Sequence, residues 1–107
     1  MTKELVAAKP KINNKTQPRL DLKEPSNYRV IYINDDITTM EFVVESLVTI
    51  FDHEPNAAFD LTDQIHAEGQ AVVAILPYEM AEQKGVEATQ LARSNGFPLV
   101  IKIESDD

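Results

Sequence analysis

Asn34, Asp35 and Asp36 set an amide beside two carboxylates at the junction of two differently patterned segments. Upstream, residues 28–33 are rich in β-branched and aromatic side chains, the composition of a strand. Downstream, Val43, Leu47, Ile50 and Phe51 recur at helical spacing. Thr38, with Glu41 three residues on, reads as a capping box that opens the helix. Acceptor groups thus gather at a loop that a helix start holds in place. Such a loop suits a ligand carrying hydrogen-bond donors and positive charge.

Each of these residues also has a plainer explanation. Asp35 and Asp36 could form a catalytic carboxylate pair, but Asp in a loop commonly bonds nearby backbone. Adjacent loop residues also tend to point apart, which disfavours a shared-proton dyad. His66 falls near the end of a second helix, on the side that carries Thr62 and Ile65. His53 and His66 lack a metal-binding spacing, and Asp52-His53-Glu54 reads as a polar loop between helices, so neither a metal nor another cofactor is expected. Met40 and Val43 form an apolar strip beside the acidic loop; core packing accounts for Val43, while Met adapts to varied apolar guests. The three glycines, Gly69, Gly85 and Gly96, build no phosphate loop. Ser26, Ser46, Ser94 and Ser105 lack the context of a nucleophile elbow. Nothing points to an enzyme.

The positioning elements must come from a chain of 107 residues, the length of one compact domain. There is no cysteine, so disulfides and thiolate metal sites are excluded. No apolar run approaches the roughly 20 residues of a membrane span, and residues 5–8 are too short for a secretory core. A cytoplasmic monomer is expected. The net charge of −8 is uneven. Residues 1–24 carry six basic and three acidic groups, net +3, while residues 25–107 carry four and fifteen, net −11. An acidic body argues against nucleic acid, because phosphate binding needs a basic surface.

Residues 1–24 show no periodicity and read as a flexible extension, bounded by Pro25. The core domain, residues 25–107, reads as β-α-α-β-α-β. The first helix covers about residues 39–51. Pro55 opens the second, which runs to Glu68 with Ala58, Leu61 and Ile65 inward and Gly69 as its stop. Residues 71–76 are an apolar run of strand length. Pro77 starts a third helix carrying Met80, Ala81, Ala88, Leu91 and Ala92, and Asn95-Gly96 ends it. Leu99, Ile101 and Ile103 alternate with Val100 and Lys102 in the last strand. The expected fold is α+β, a three-stranded antiparallel sheet with three helices on one face.

Read together, these residues resemble the ClpS family, bacterial adaptors that deliver N-degron substrates to the Clp AAA+ protease. The resemblance covers about residues 25–104. It rests on Pro-Ser-Asn-Tyr-Arg-Val at the first strand and Asn-Asp-Asp-x-Thr-x-Met-Glu-Phe-Val at the loop. His66 followed by Glu68-Gly69, then Glu79, Lys84 and Pro98-Leu99, extend it.

The resemblance implies that Asn34, Asp35 and His66 hold the free α-amino group of a substrate, while Asp36 helps order the loop. It implies a pocket for the first side chain lined by Thr38, Met40, Val43, Thr62, Ile65 and Leu99, with Met40 as gatekeeper against β-branched residues. Glu79 and Lys84 match positions that dock on the N-terminal domain of a ClpA-type unfoldase, and the tail would engage the unfoldase during hand-off. Physical chemistry supports amine capture. An α-ammonium has three donors and a pKa of about 7.7–8.0, so it needs the acceptors that an amide, a carboxylate and a neutral imidazole supply. Burying a large first side chain adds roughly 1.5–3 kcal/mol. Two positions depart from the family pattern: Thr39 replaces a usual proline at what reads as the first helical position, and Thr62 replaces a common methionine.

Two other readings stand beside this one. The same element order occurs in the C-terminal domain of the bacterial ribosomal stalk protein, an interaction module without N-terminus recognition. That domain lacks the Asn-Asp-Asp loop and uses exposed basic residues. The third is a small hydrolase using Asp35 or Asp36 with His66.

Overall fold

The computed structural model describes residues 26–107; the expected extension over residues 1–24 lies outside them. The element order is β1 (Asn27–Ile33), α1 (Met40–Thr49), α2 (Pro55–Glu68), β2 (Gln70–Pro77), α3 (Tyr78–Ser94) and β3 (Val100–Ser105). The strands form one antiparallel sheet in the order β2-β1-β3, with β1 central. The expected fold class is therefore the observed one.

Alternation along β1 sorts the two faces of the sheet. Tyr28, Val30 and Tyr32 join the helix-side core, as do Ile101 and Ile103 from β3. Their partners in register, Tyr32 with Ile101 and Val30 with Ile103, lie on that same face. The opposite face carries the Arg29–Glu104 ion pair at 3.3 Å and the Lys102–Glu104 pair at 3.0 Å.

β2 is less regular than its apolar run suggests. Its register slips between Val30–Ala74 and Ile31–Val72, leaving Val73 as an extra residue in a β-bulge. The bulge turns Val73 into the core beside Ala71 and changes the alternation thereafter. His53 accounts for the carbonyl of this extra residue, with Nε2 donating to Val73 O at 2.6 Å. The interhelical loop expected to be merely polar thus fastens the α1–α2 turn to the sheet. Asp52, just before it, has φ 61°, a left-handed conformation that Asp tolerates better than most residues.

α3 meets the sheet through small residues, Ala81, Gly85, Ala88 and Ala92, all buried. A Cβ added at Gly85 would stand 3.3 Å from Ile103 Cδ1, so the glycine permits the close approach. Met80 and Leu91, read as part of the same apolar set, point away and are exposed. Gly69 at φ 90° ends α2, and Gly96 at φ 79° follows the Asn95 cap of α3; both stops fall where turn chemistry requires them.

Candidate functional site

The acceptor loop leaves β1 at Ile33 and is secured immediately. Asn34 N–H donates to Gly69 O at 2.9 Å, which ties the loop to the cap of α2, three residues beyond His66. The Asn34 side chain and the His66 ring, both exposed, are thereby carried by two segments joined at that bond.

Asp35 then folds the loop on itself. Its Oδ1 accepts from Ile37 N at 2.8 Å and Thr38 N at 2.7 Å, and its Oδ2 accepts from Thr38 Oγ1 at 2.7 Å. This is the local Asx geometry that loop carboxylates commonly adopt. Burial by itself would raise the Asp35 carboxyl. The Thr38 amide, the Thr38 hydroxyl, the Ile37 amide and the nearby Arg93 charge outweigh it and hold the group below its ordinary 3.8. Asp35 is accordingly an anion at neutral pH. Arg93 also donates to Phe97 O at 3.0 Å and Leu99 O at 2.9 Å, which brings the end of α3 and the start of β3 to this side of the domain. Asp36 is exposed and makes no side-chain bond to another described residue.

The helix start differs from expectation by one residue. Thr39 is the N-cap, its Oγ1 accepting from Phe42 N at 3.1 Å. Thr38 forms no capping box with Glu41, because its hydroxyl is taken by Asp35. Two adjacent threonines divide the work: one closes the loop, the other caps the helix. Position 39 is also not the first helical residue, so its departure from proline exchanges a preset φ for a cap bond.

Between α1 and α2 opens a groove of about 490 Å³ lined by Met40, Val44, Phe59 and Thr62, and edged by carboxylates. Met40 is 45% exposed, while Thr62 is buried and its hydroxyl donates to Ala58 O at 2.7 Å. Met40 and Thr62 are therefore brought together. Val43, Ile65 and Leu99 belong to the buried core and do not line this groove. Val44 and Phe59 were not anticipated. The signal for Phe59 was available: it is an aromatic residue among Asn56, Asp60, Asp63 and Gln64, on the polar side of an amphipathic helix.

The two residues implied in docking sit apart on α3. Five residues along a helix turn about 140°, so Glu79 and Lys84 do not share a face. Glu79 is exposed and lines a separate cleft of about 470 Å³ with Tyr28 and Tyr78. Lys84 Nζ donates to Ile50 O at 2.9 Å, closing the C-terminus of α1. Among the described residues, no group of three or more His, Asp or Glu could hold a metal, and no helix is long and apolar enough to cross a membrane.

Fold and site together define a small α+β domain with an anionic, self-bonded loop beside an apolar groove. Residues 23–102 match the family of the ATP-dependent Clp protease adaptor protein ClpS, and the chain belongs to that family. It is 44% identical over 81 residues to the ClpS adapter of Treponema denticola, covering 76% of this chain and 80% of that protein. The adapter of Clostridium acetobutylicum is 41% identical, with coverage of 73% and 77%. Among solved structures, Agrobacterium tumefaciens ClpS2 bound to L-phenylalaninamide superposes with a TM-score of 0.75 at 35% identity, covering 78% of this chain and all of that one. The ClpS family is one of protease adaptors, which distinguishes the chain from the ribosomal stalk domain.

Proposed function

We propose that the chain binds proteins through a free N-terminal α-amino group and a bulky hydrophobic first residue, and delivers them to a ClpA-type unfoldase. The observation that carries this reading is the bond between Asn34 and Gly69, which joins the anionic loop to the end of α2 where His66 stands. Asn34, Asp35 and His66 would supply the acceptors for the ammonium, and Asp36 would help order the loop and its water contacts. The Asp35 carboxylate has about four acceptor positions and uses three internally, leaving capacity for a ligand donor. The first side chain would enter beside Met40 and Thr62, which line the groove. Thr38, Val43, Ile65 and Leu99 remain pocket residues only as the family resemblance implies, the last three being core residues behind the groove.

L-Phenylalaninamide, the ligand named with the A. tumefaciens structure, combines a free α-amino group with an aromatic side chain. It is the minimal form of the substrate class proposed here. Docking on the unfoldase through Glu79 and Lys84 is part of the same proposal.

Peptides beginning with Phe, Tyr, Trp or Leu should bind, and their N-acetylated forms should not. Acetylation removes the charge and leaves acceptors unpaired, a loss on the order of 2–5 kcal/mol. Fluorescence anisotropy with matched free and acetylated peptides tests this; equal affinity for both would refute amine capture.

A further inference from the structure

The groove between α1 and α2 extends past the reach of a first side chain. Along α2, Thr62 lies four residues and Phe59 seven residues before His66. At about 1.5 Å per residue these are rises of about 6 and 10.5 Å. A side chain whose α-amino group is held at His66 can cover Thr62, but Phe59 stands roughly a further turn away. Phe59 is nonetheless 57% exposed, and it lines the same groove as Val44, one turn along α1 from Met40.

An extended peptide advances about 3.3 Å per residue and presents residues one and three on the same side. With the first residue between Met40 and Thr62, the third falls about 6.6 Å farther on, opposite Val44 and Phe59. We propose that this outer half of the groove is a second apolar subsite, seating the third side chain of the substrate. The inference rests on the amine-capture reading, with which the groove is continuous through Met40 and Thr62. Glu41, Glu45 and Asp63, all exposed, edge the groove and set its charge. The subsite therefore takes an apolar third residue with neutral or basic neighbours, and rejects an acidic one.

The test compares free-amine peptides that share Phe at the first position and carry Ala, Leu or Asp at the third, with an acetylated control. The full chain is used, as wild type and as Phe59→Ala, a substitution at an exposed position outside the core. Leu should bind the wild type about five- to tenfold more tightly than Ala, and Asp more weakly than Ala. The Leu-to-Ala ratio should fall toward one in Phe59→Ala. Equal affinity for all third residues, or a Leu preference that survives Phe59→Ala, overturns the subsite. If acetylation abolishes binding in those cases, amine capture stands and only the subsite fails. If acetylation changes nothing, both fail.

Discussion

The Thr38 hydroxyl donates to one oxygen of Asp35 while the Thr38 amide donates to the other, each at 2.7 Å. A single residue thus engages both ends of the carboxylate and fixes its plane relative to the loop. Such preorganisation lowers the ordering cost of binding a donor-rich ligand.

The pH dependence of this arrangement follows from its sign. The folded-state carboxyl lies below its ordinary 3.8, so the contribution of Asp35 is fully present above that value and is lost as pH falls through the folded one. The amide resonances of Ile37 and Thr38 should titrate together, with a midpoint below 3.8. Thr38→Val removes the hydroxyl bond and should move that midpoint upward. A midpoint unchanged by the substitution would show that the hydroxyl does not hold the carboxylate.

Legibility in the sequence followed local chemistry. Pro55, Gly69 and Asn95-Gly96 mark the ends of α2 and α3 because proline and left-handed residues act through their own backbone. The bond from Thr62 to Ala58 is equally local, a hydroxyl reaching one turn back. The cap of α1 was displaced by one residue because Thr38 and Thr39 are chemically the same; the tertiary demand of Asp35 decides between them. The bulge at Val73 was hidden within a continuous apolar run, where alternation gives no phase. His53 and Lys84 gave no hint of their partners, Val73 and Ile50, which lie 20 and 34 residues away. For the candidate site, the loop was legible as a motif, while the outer groove depends on how α1 and α2 pack.

Tyr32 and Ser46 form a buried pair at 2.8 Å, both fully shielded from solvent. Ser46 donates its only proton to Val43 O at 2.9 Å, so the Tyr32 phenol is the donor in the pair. Ser46→Ala strands that phenol and should cost about 1–3 kcal/mol, read from denaturant unfolding. Burial, only partly offset by Ser46, pushes the Tyr32 phenol from 10.0 up to about 12. Because the folded value is the higher one, this contribution persists below pH 10 and is lost as pH rises toward 12. Absorbance of phenolate should show one of the three tyrosines ionising late or only on unfolding. A Tyr32 phenol that ionises near 10.0 in the folded protein would contradict the buried pair.

Lys84 and Glu79 should separate stability from docking. Lys84→Met keeps the apolar stem but removes the ammonium from Ile50 O, and should cost about 0.5–1.5 kcal/mol. Glu79→Ala removes an exposed carboxylate with no side-chain bond to another described residue, and should stay within about 0.5 kcal/mol of wild type. Thermal unfolding of the two variants checks this difference. Comparable melting temperatures would mean that the Lys84 bond contributes nothing in solution. Under the proposed function, Glu79→Ala is also the cleaner variant for measuring unfoldase binding, since any loss there would not reflect a loosened α1.

Thr62 is where stability and specificity meet. The side chain is buried at 3% exposure, yet it borders the groove between the exposed Met40 and Phe59. Its bond to Ala58 O is dispensable, because that carbonyl also lies four residues before the Thr62 amide and can accept from it in the helix. Thr62→Met therefore strands no polar group. A buried site would ordinarily resist the added volume at a cost of about 1–3 kcal/mol, but an unbranched thioether can turn into the adjoining groove. Stability should consequently change by less than about 1 kcal/mol. The same thioether would add apolar contact for a first residue of the substrate that is too small to reach across. A Leu-first peptide should gain roughly 1 kcal/mol, about one methylene of burial, whereas a Phe ring that already spans the gap should gain less. The measurement is the Leu-to-Phe affinity ratio in wild type and variant. A ratio that does not move would mean that Thr62 is part of the helix interior and no wall of the binding groove.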